Sequence, residues 1–174
     1  MSQDEFFAFM PLLIYGIAVT ELVRHWRDYL NKGRRYWPHL VTGLILLELA
    51  FVNFYYLYDT LEDLFKTYPH FLLRLTSPIL LLLTVSVYTP ENDRDVKEYF
   101  NDKAPLIFTL LGLFIMINVV TDLELNFINL IRSTAAIICF LLALTKKYWL
   151  IWLWVIIRLS MFAIQDFAPQ LLSQ

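Results

Sequence analysis

A single cysteine, Cys139, occurs in the 174-residue chain. That excludes an internal disulfide and any metal site built from several cysteines. The three histidines, His25, His39 and His70, do not cluster along the sequence, so no metal or other cofactor is implied. The phosphate-binding G-x-x-x-x-G-K-[ST], the zinc-binding H-E-x-x-H and the nucleophile elbow G-x-S-x-G are all missing. No catalytic residue can be nominated, and nothing argues for an enzyme. A T-V-G-Y-G filter is absent, and no segment carries a regular arginine ladder. No internal repeat is visible, which disfavours an inverted-repeat transporter. The most informative shortage is of basic residues, which are nearly missing from every second connection.

What is present is a succession of six apolar segments, at 6–26, 38–58, 68–88, 104–121, 127–145 and 149–166. Arg24, Arg27, Lys32, Arg34 and Arg35 follow the first, and Lys66 the second. Arg94, Lys97 and Lys103 follow the third, and Lys146 and Lys147 the fifth. Basic residues near helix ends stay on the cytoplasmic side. The alternation therefore predicts an all-helical, six-span membrane protein with both termini outside. The chain is 59% hydrophobic and 17% aromatic, with positive mean hydropathy. Since each span needs about 20 apolar residues, little remains for a soluble domain, and one membrane-embedded domain over 1–174 is expected. Asp4 and Glu5 stand where a signal peptide would carry basic residues, so the first segment reads as a retained helix.

The expected outer connections are acidic, with Asp59, Glu62, Asp63, Asp122 and Glu124 against Lys66. They form a solvated rim or concentrate cations. The first inner connection interleaves Arg24, Arg27, Lys32, Arg34 and Arg35 with Trp26, Tyr36 and Trp37. Beside a bilayer this pattern reads as lipid anchoring rather than nucleic-acid binding. In the second inner connection, Val96, Tyr99 and Phe100 share one helical face. This predicts a short amphipathic helix on the membrane surface, or a docking site for a protein partner at 93–103. Pro38, Pro69 and Pro105 each open an apolar run, where the missing N–H costs nothing. Pro78, after Thr76 and Ser77, lies inside the third segment and should kink it.

Ionisable groups deep in a membrane are costly and usually have partners. Glu48, on the second segment, and Arg158, on the sixth, lie at matching depths near the midplane. They are expected to form an ion pair or to line one wet cavity; unpaired, Glu48 would be a candidate proton carrier. Arg74, Arg132, Asn53, Asn118 and Asp122 occupy the outer third. They converge on an outward-facing pocket for an anion or water, or else the two arginines snorkel to Asp59, Asp122 and Glu124. Glu21 and His25, four residues apart, share one face of the first helix. On the fifth segment, Ala135, Cys139 and Ala143 form a small-residue stripe that admits a close helix neighbour, within the chain or in a homo-oligomer.

The run from Thr76 to Phe100 contains Ser77-Pro78, then Tyr88-Thr89-Pro90, then Asp95-Val96-Lys97-Glu98-Tyr99-Phe100. Before it come Gly16, a basic turn and an aromatic second span with Phe51, Phe54, Tyr55 and Tyr56. Over its first four segments the chain resembles a widespread group of small bacterial multi-pass membrane proteins, though without paired tryptophans on the second helix. The resemblance implies a bacterial inner-membrane location and brings no activity. Two functions are expected from the residues: a homo-oligomeric ion- or proton-conducting protein with Glu48 and Arg158 on or beside the path, or a non-transporting scaffold, sensor or accessory subunit acting through its inner connections.

Overall fold

The computed structural model describes residues 3–29, 35–57, 68–90, 95–122 and 127–167, with side chains described for 9–26, 35–56, 68–69, 71–90, 95–121 and 127–160. Among the described residues every regular element is a helix. They are α1 (Gln3–Tyr29), α2 (Trp37–Leu57), α3 (Tyr68–Tyr88), α4 (Val96–Asp122), α5 (Phe127–Thr145) and α6 (Trp149–Phe167). Helices α2 to α5 are long and apolar enough to cross a membrane. Helices α1 and α6 have 27 and 19 residues. Each helix turns large apolar side chains outward: Ile17, Leu44, Leu83, Leu113, Leu144 and Ile156 are all exposed. A surface helix of a water-soluble bundle would carry polar residues there. The apolar exterior and the four spanning helices define an integral membrane protein.

Helix α4 packs most extensively on α5 and on α3, and α1 lies against α3 and α2. Helix α6 rests on α5 and also meets α2, while α2 in turn touches α3 and α4. The buried core includes Leu22, Leu46, Leu81, Phe108, Leu111 and Leu142, one or more from every helix except α6, which adds Ile151 and Trp154. The residues leading into α2, the first turns of α4 and the α5–α6 turn meet at one end, where the Tyr36 hydroxyl donates to Asn101 and Lys146 reaches the Asn101 carbonyl. This is the basic end of the bundle.

Pro38 and Pro69 stand at the second position of α2 and α3, where their missing N–H is harmless. Pro105 does not open its helix. Helix α4 starts at Val96 and runs through it, so the separate surface helix expected around 96–103 is instead the first two turns of α4. Two local features explain this. The Glu98 N–H donates to Asp95 Oδ1 at 2.9 Å, an N-cap that starts the helix early. A proline inside a helix also deprives the carbonyl four residues earlier of its donor; here that carbonyl is Asn101, and Lys146 Nζ donates to it at 3.1 Å. The face of Val96, Tyr99 and Phe100 does exist, but all three are buried against protein rather than lipid.

Helix α5 stops at Thr145, and Lys146 takes a left-handed conformation (φ 52°) that turns the chain into α6. Glycine usually supplies this conformation. The stripe Ala135, Cys139 and Ala143 is buried within the single chain, so it serves packing inside the bundle and lends no support to an oligomer. The reciprocal feature lies on α4: a Cβ on Gly112 would stand 2.9 Å from the Phe140 ring of α5.

Candidate functional site

Glu48 is 11 residues into α2 from Trp37, and Arg158 is nine into α6 from Trp149. At a rise of about 1.5 Å per residue, both lie roughly 15 Å from the basic end, half the thickness of a hydrocarbon core. The two side chains meet. Arg158 donates to the same carboxylate oxygen twice, from Nε at 3.0 Å and from Nη2 at 2.7 Å. The second oxygen, Glu48 Oε2, is buried with no hydrogen-bond partner among the described residues. Neither side chain is sealed, with 29% of Glu48 and 20% of Arg158 accessible. Leu44 and Ile45 one turn before Glu48 and Phe51 and Val52 one turn after it are all apolar, so the polar residue interrupts an otherwise apolar face of α2. The arrangement can hold a proton, a water or a small ion on the spare oxygen.

A small cleft of about 40 Å³ opens beside Arg158. Its walls come from α2 (Leu49), α4 (Ile115), α5 (Ile131, Arg132, Ala135) and α6 (Trp154, Ile157, Arg158). Arg132, expected in an outer cluster, thus shares a cavity with Arg158. Its Nη1 donates to Asn129 Oδ1 at 3.1 Å, one turn earlier on α5. The other residues of that expected cluster are placed as follows. Asn118 accepts a 3.0 Å hydrogen bond from Ser77 and donates to its own helix at Phe114. Ser77 also meets the Tyr15 hydroxyl at 3.5 Å, so a short polar chain links α1, α3 and α4 beside Pro78. Asn53 donates to the Leu49 carbonyl, also within its own helix. Arg74 is half-buried on α3, and the Asp122 side chain lies outside the described residues.

A second polar assembly, at the basic end, was not legible in the sequence. His39 and Tyr88 are fully buried, with rings stacked 4.1 Å apart at 8°. The Tyr88 hydroxyl donates to the His39 carbonyl at 3.0 Å and lies 3.2 Å from Nδ1. The remaining ring nitrogen, Nε2, is 3.4 Å from the Tyr88 carbonyl. Phe100 packs edge-on against His39 and against Tyr36, and Tyr99 donates to the Val87 carbonyl at 2.8 Å. Burial, with a smaller contribution from Tyr36, pushes the Tyr148 phenol up to about 12, so this group stays neutral in the wall of the cluster. The one sequence signal was Gly43, a turn after His39: a Cβ there would collide with the Tyr88 hydroxyl.

Of the expected lipid-anchoring residues, Arg24, Arg35 and Trp37 are exposed at the basic end. Lys32, Arg34 and the Arg27 side chain lie outside the described residues. Residues 93 and 94 of the expected docking segment do so too. Glu21 and His25 approach to 3.5 Å on the surface of α1. No three His, Cys, Asp or Glu side chains come together as a metal site among the described residues. Compared with known proteins, the chain matches no family model, no curated protein and no solved structure.

Proposed function

We propose that this is a six-span protein of the bacterial cytoplasmic membrane, with both termini outside, that moves a proton or small ion past the Glu48–Arg158 pair. The observation that carries this reading is the one-sided pairing. Arg158 Nε and Nη2 both donate to Oε1, while Oε2 is buried without a partner among the described residues. A purely structural pair would gain from engaging both oxygens, because an unmet acceptor in a low-dielectric interior costs about 1–3 kcal/mol. The charge alternation supports the topology, and the resemblance of the first four segments supports the location. The test is proton and ion flux into liposomes containing purified protein. We expect flux in the wild type and its loss in Glu48→Gln that elutes as folded protein. Intact wild type without flux would overturn the reading.

A second function, as an accessory subunit, is favoured by the first two turns of α4. They form a continuous, capped extension of a 27-residue helix, on which Lys97, Glu98 and Asp102 are exposed. Such a surface suits a protein partner of alternating charge. Reversal of these three charges should then release a partner that co-purifies with the wild type while leaving flux unchanged.

A further inference from the structure

We infer that the species passing the Glu48–Arg158 pair is a proton, carried on Glu48 Oε2, and that metal cations and anions are excluded. The inference rests on the transport reading and deepens it by naming the cargo.

The carboxylate offers one open acceptor and little else. Arg158 occupies Oε1 through Nε and Nη2, and Oε2 is buried without a partner among the described residues. A proton needs only that oxygen. It forms an O–H bond there and leaves when the same bond breaks, so the pair alternates between neutral and a single positive charge. A metal cation needs several oxygen ligands in place of its hydration shell. None of Leu44, Ile45, Phe51 and Val52, one turn from Glu48 on α2, can supply a side-chain oxygen. Nor can Trp154 or Val155, one turn before Arg158 on α6, or any residue lining the cleft beside Arg158. A cation on Oε2 would also lie close to the guanidinium held on Oε1, whose charge repels it. That charge opposes protonation too, but a covalent O–H bond offsets it. An anion would need the guanidinium groups, and both are engaged, Arg158 with Glu48 and Arg132 with Asn129.

The space around the pair is equally restrictive. The cleft beside Arg158 measures about 40 Å³, and a second cavity of about 10 Å³ lies nearer the basic end, among Thr42, Phe108, Leu142 and Ile151. Buried Trp154 is a wall of both. One water needs roughly 10–15 Å³. The inner cavity is therefore at the limit for a single water, and the cleft has room for a few. Neither has room for an ion with its hydration shell, whereas a proton passes along single waters.

The experiment uses purified protein in liposomes. Proton entry driven by a valinomycin-set potassium potential is read with an entrapped pH-sensitive dye. Uptake of radioactive sodium, rubidium and chloride is read in the same preparation without valinomycin. We expect proton entry well above that of protein-free liposomes, and no tracer uptake above theirs. In Glu48→Gln, proton entry should fall to the protein-free rate. Because that variant strands the Arg158 charge, the double variant Glu48→Gln/Arg158→Gln is measured beside it; it lacks the carboxylate, strands no charge, and should be equally silent. Proton entry that survives in the folded double variant would overturn Glu48 as the carrier. Sodium, rubidium or chloride uptake that the double variant loses would overturn the proton as cargo and leave the transport reading standing. Wild type silent to all four species would overturn the transport reading itself, and this inference with it.

Discussion

At the basic end of the bundle, His39 and Tyr88 are fully buried, stacked, and bonded to each other through ring, hydroxyl and backbone. At mid-depth, Glu48 and Arg158 are partly accessible, Arg158 borders a small cleft, and one carboxylate oxygen of Glu48 has no partner among the described residues. Both are polar pairs joining helices of an apolar protein, and they are built in opposite ways. A closed, satisfied network adds rigidity and specifies how α2, α3 and α4 meet. An open, half-satisfied pair of charges stabilises less than its contacts suggest. It keeps a reactive oxygen at the depth where ionisable residues mark pathways or ligand sites. On the proposed reading, the basic end is the anchor of this fold and the mid-depth pair its working part.

The sharpest way to break that contrast is to unbalance the open pair. Glu48→Gln leaves the Arg158 charge half-buried without its carboxylate, and the expected loss of stability is about 3 kcal/mol. Introducing Arg158→Gln as well removes the stranded charge, so most of that loss should be recovered. Unfolding midpoints of the two single variants and the double variant in one detergent give the coupling directly. Additive effects would mean that the contact carries little energy and that the charges are solvated separately.

The next effect should come from the closed network. Gly43 lies so close to Tyr88 that a methyl group would displace the tyrosine hydroxyl, and with it the bonds to His39. Gly43→Ala should cost about 2 kcal/mol, in the range of an overpacked core. In a Tyr88→Phe background the hydroxyl is gone, and the nearest atom to the new Cβ becomes the ring carbon at 3.0 Å. The same substitution should then cost markedly less. Neither variant should change the flux of folded protein, whereas Glu48→Gln should remove it. Equal damage to function from both regions would erase the distinction between anchor and working site.

The contrast also explains what could be read from the sequence. Glu48 and Arg158 stood out because charges in apolar runs are rare, and helical rise alone equated their depths. His39 and Tyr88 gave no such signal: a histidine and a tyrosine near a helix end are also what an interfacial belt contains. Their meeting depends on α2 and α3 being brought together through Gly43, which no local pattern encodes. Arg132 was expected in an outer polar cluster. Its sharing of a cleft with Arg158 depends on how α5 and α6 face one another across the turn at Lys146. The extent of α4 was misjudged for a different reason. The face of Val96, Tyr99 and Phe100 is apolar whichever surface covers it, and periodicity cannot distinguish lipid from protein.

The smallest expected effect concerns that helix, and it tests why α4 can run through Pro105 at all. Proline leaves the Asn101 carbonyl without a helical donor, and Lys146 Nζ fills the vacancy at 3.1 Å. Lys146→Ala removes this bond but keeps a side chain subject to the same left-handed backbone penalty at φ 52°. The difference in stability therefore reports the ammonium group and not the turn. It should be about 1 kcal/mol, the value of an ordinary intramolecular hydrogen bond. In Pro105→Ala the helix regains its own N–H for Asn101, and the lysine becomes redundant; Lys146→Ala should then cost close to nothing. Any general effect of removing a positive charge from the end of α5 is common to both backgrounds and cancels in the comparison. A Lys146→Ala cost that is the same with and without the proline would mean that α4 tolerates Pro105 through some other contact.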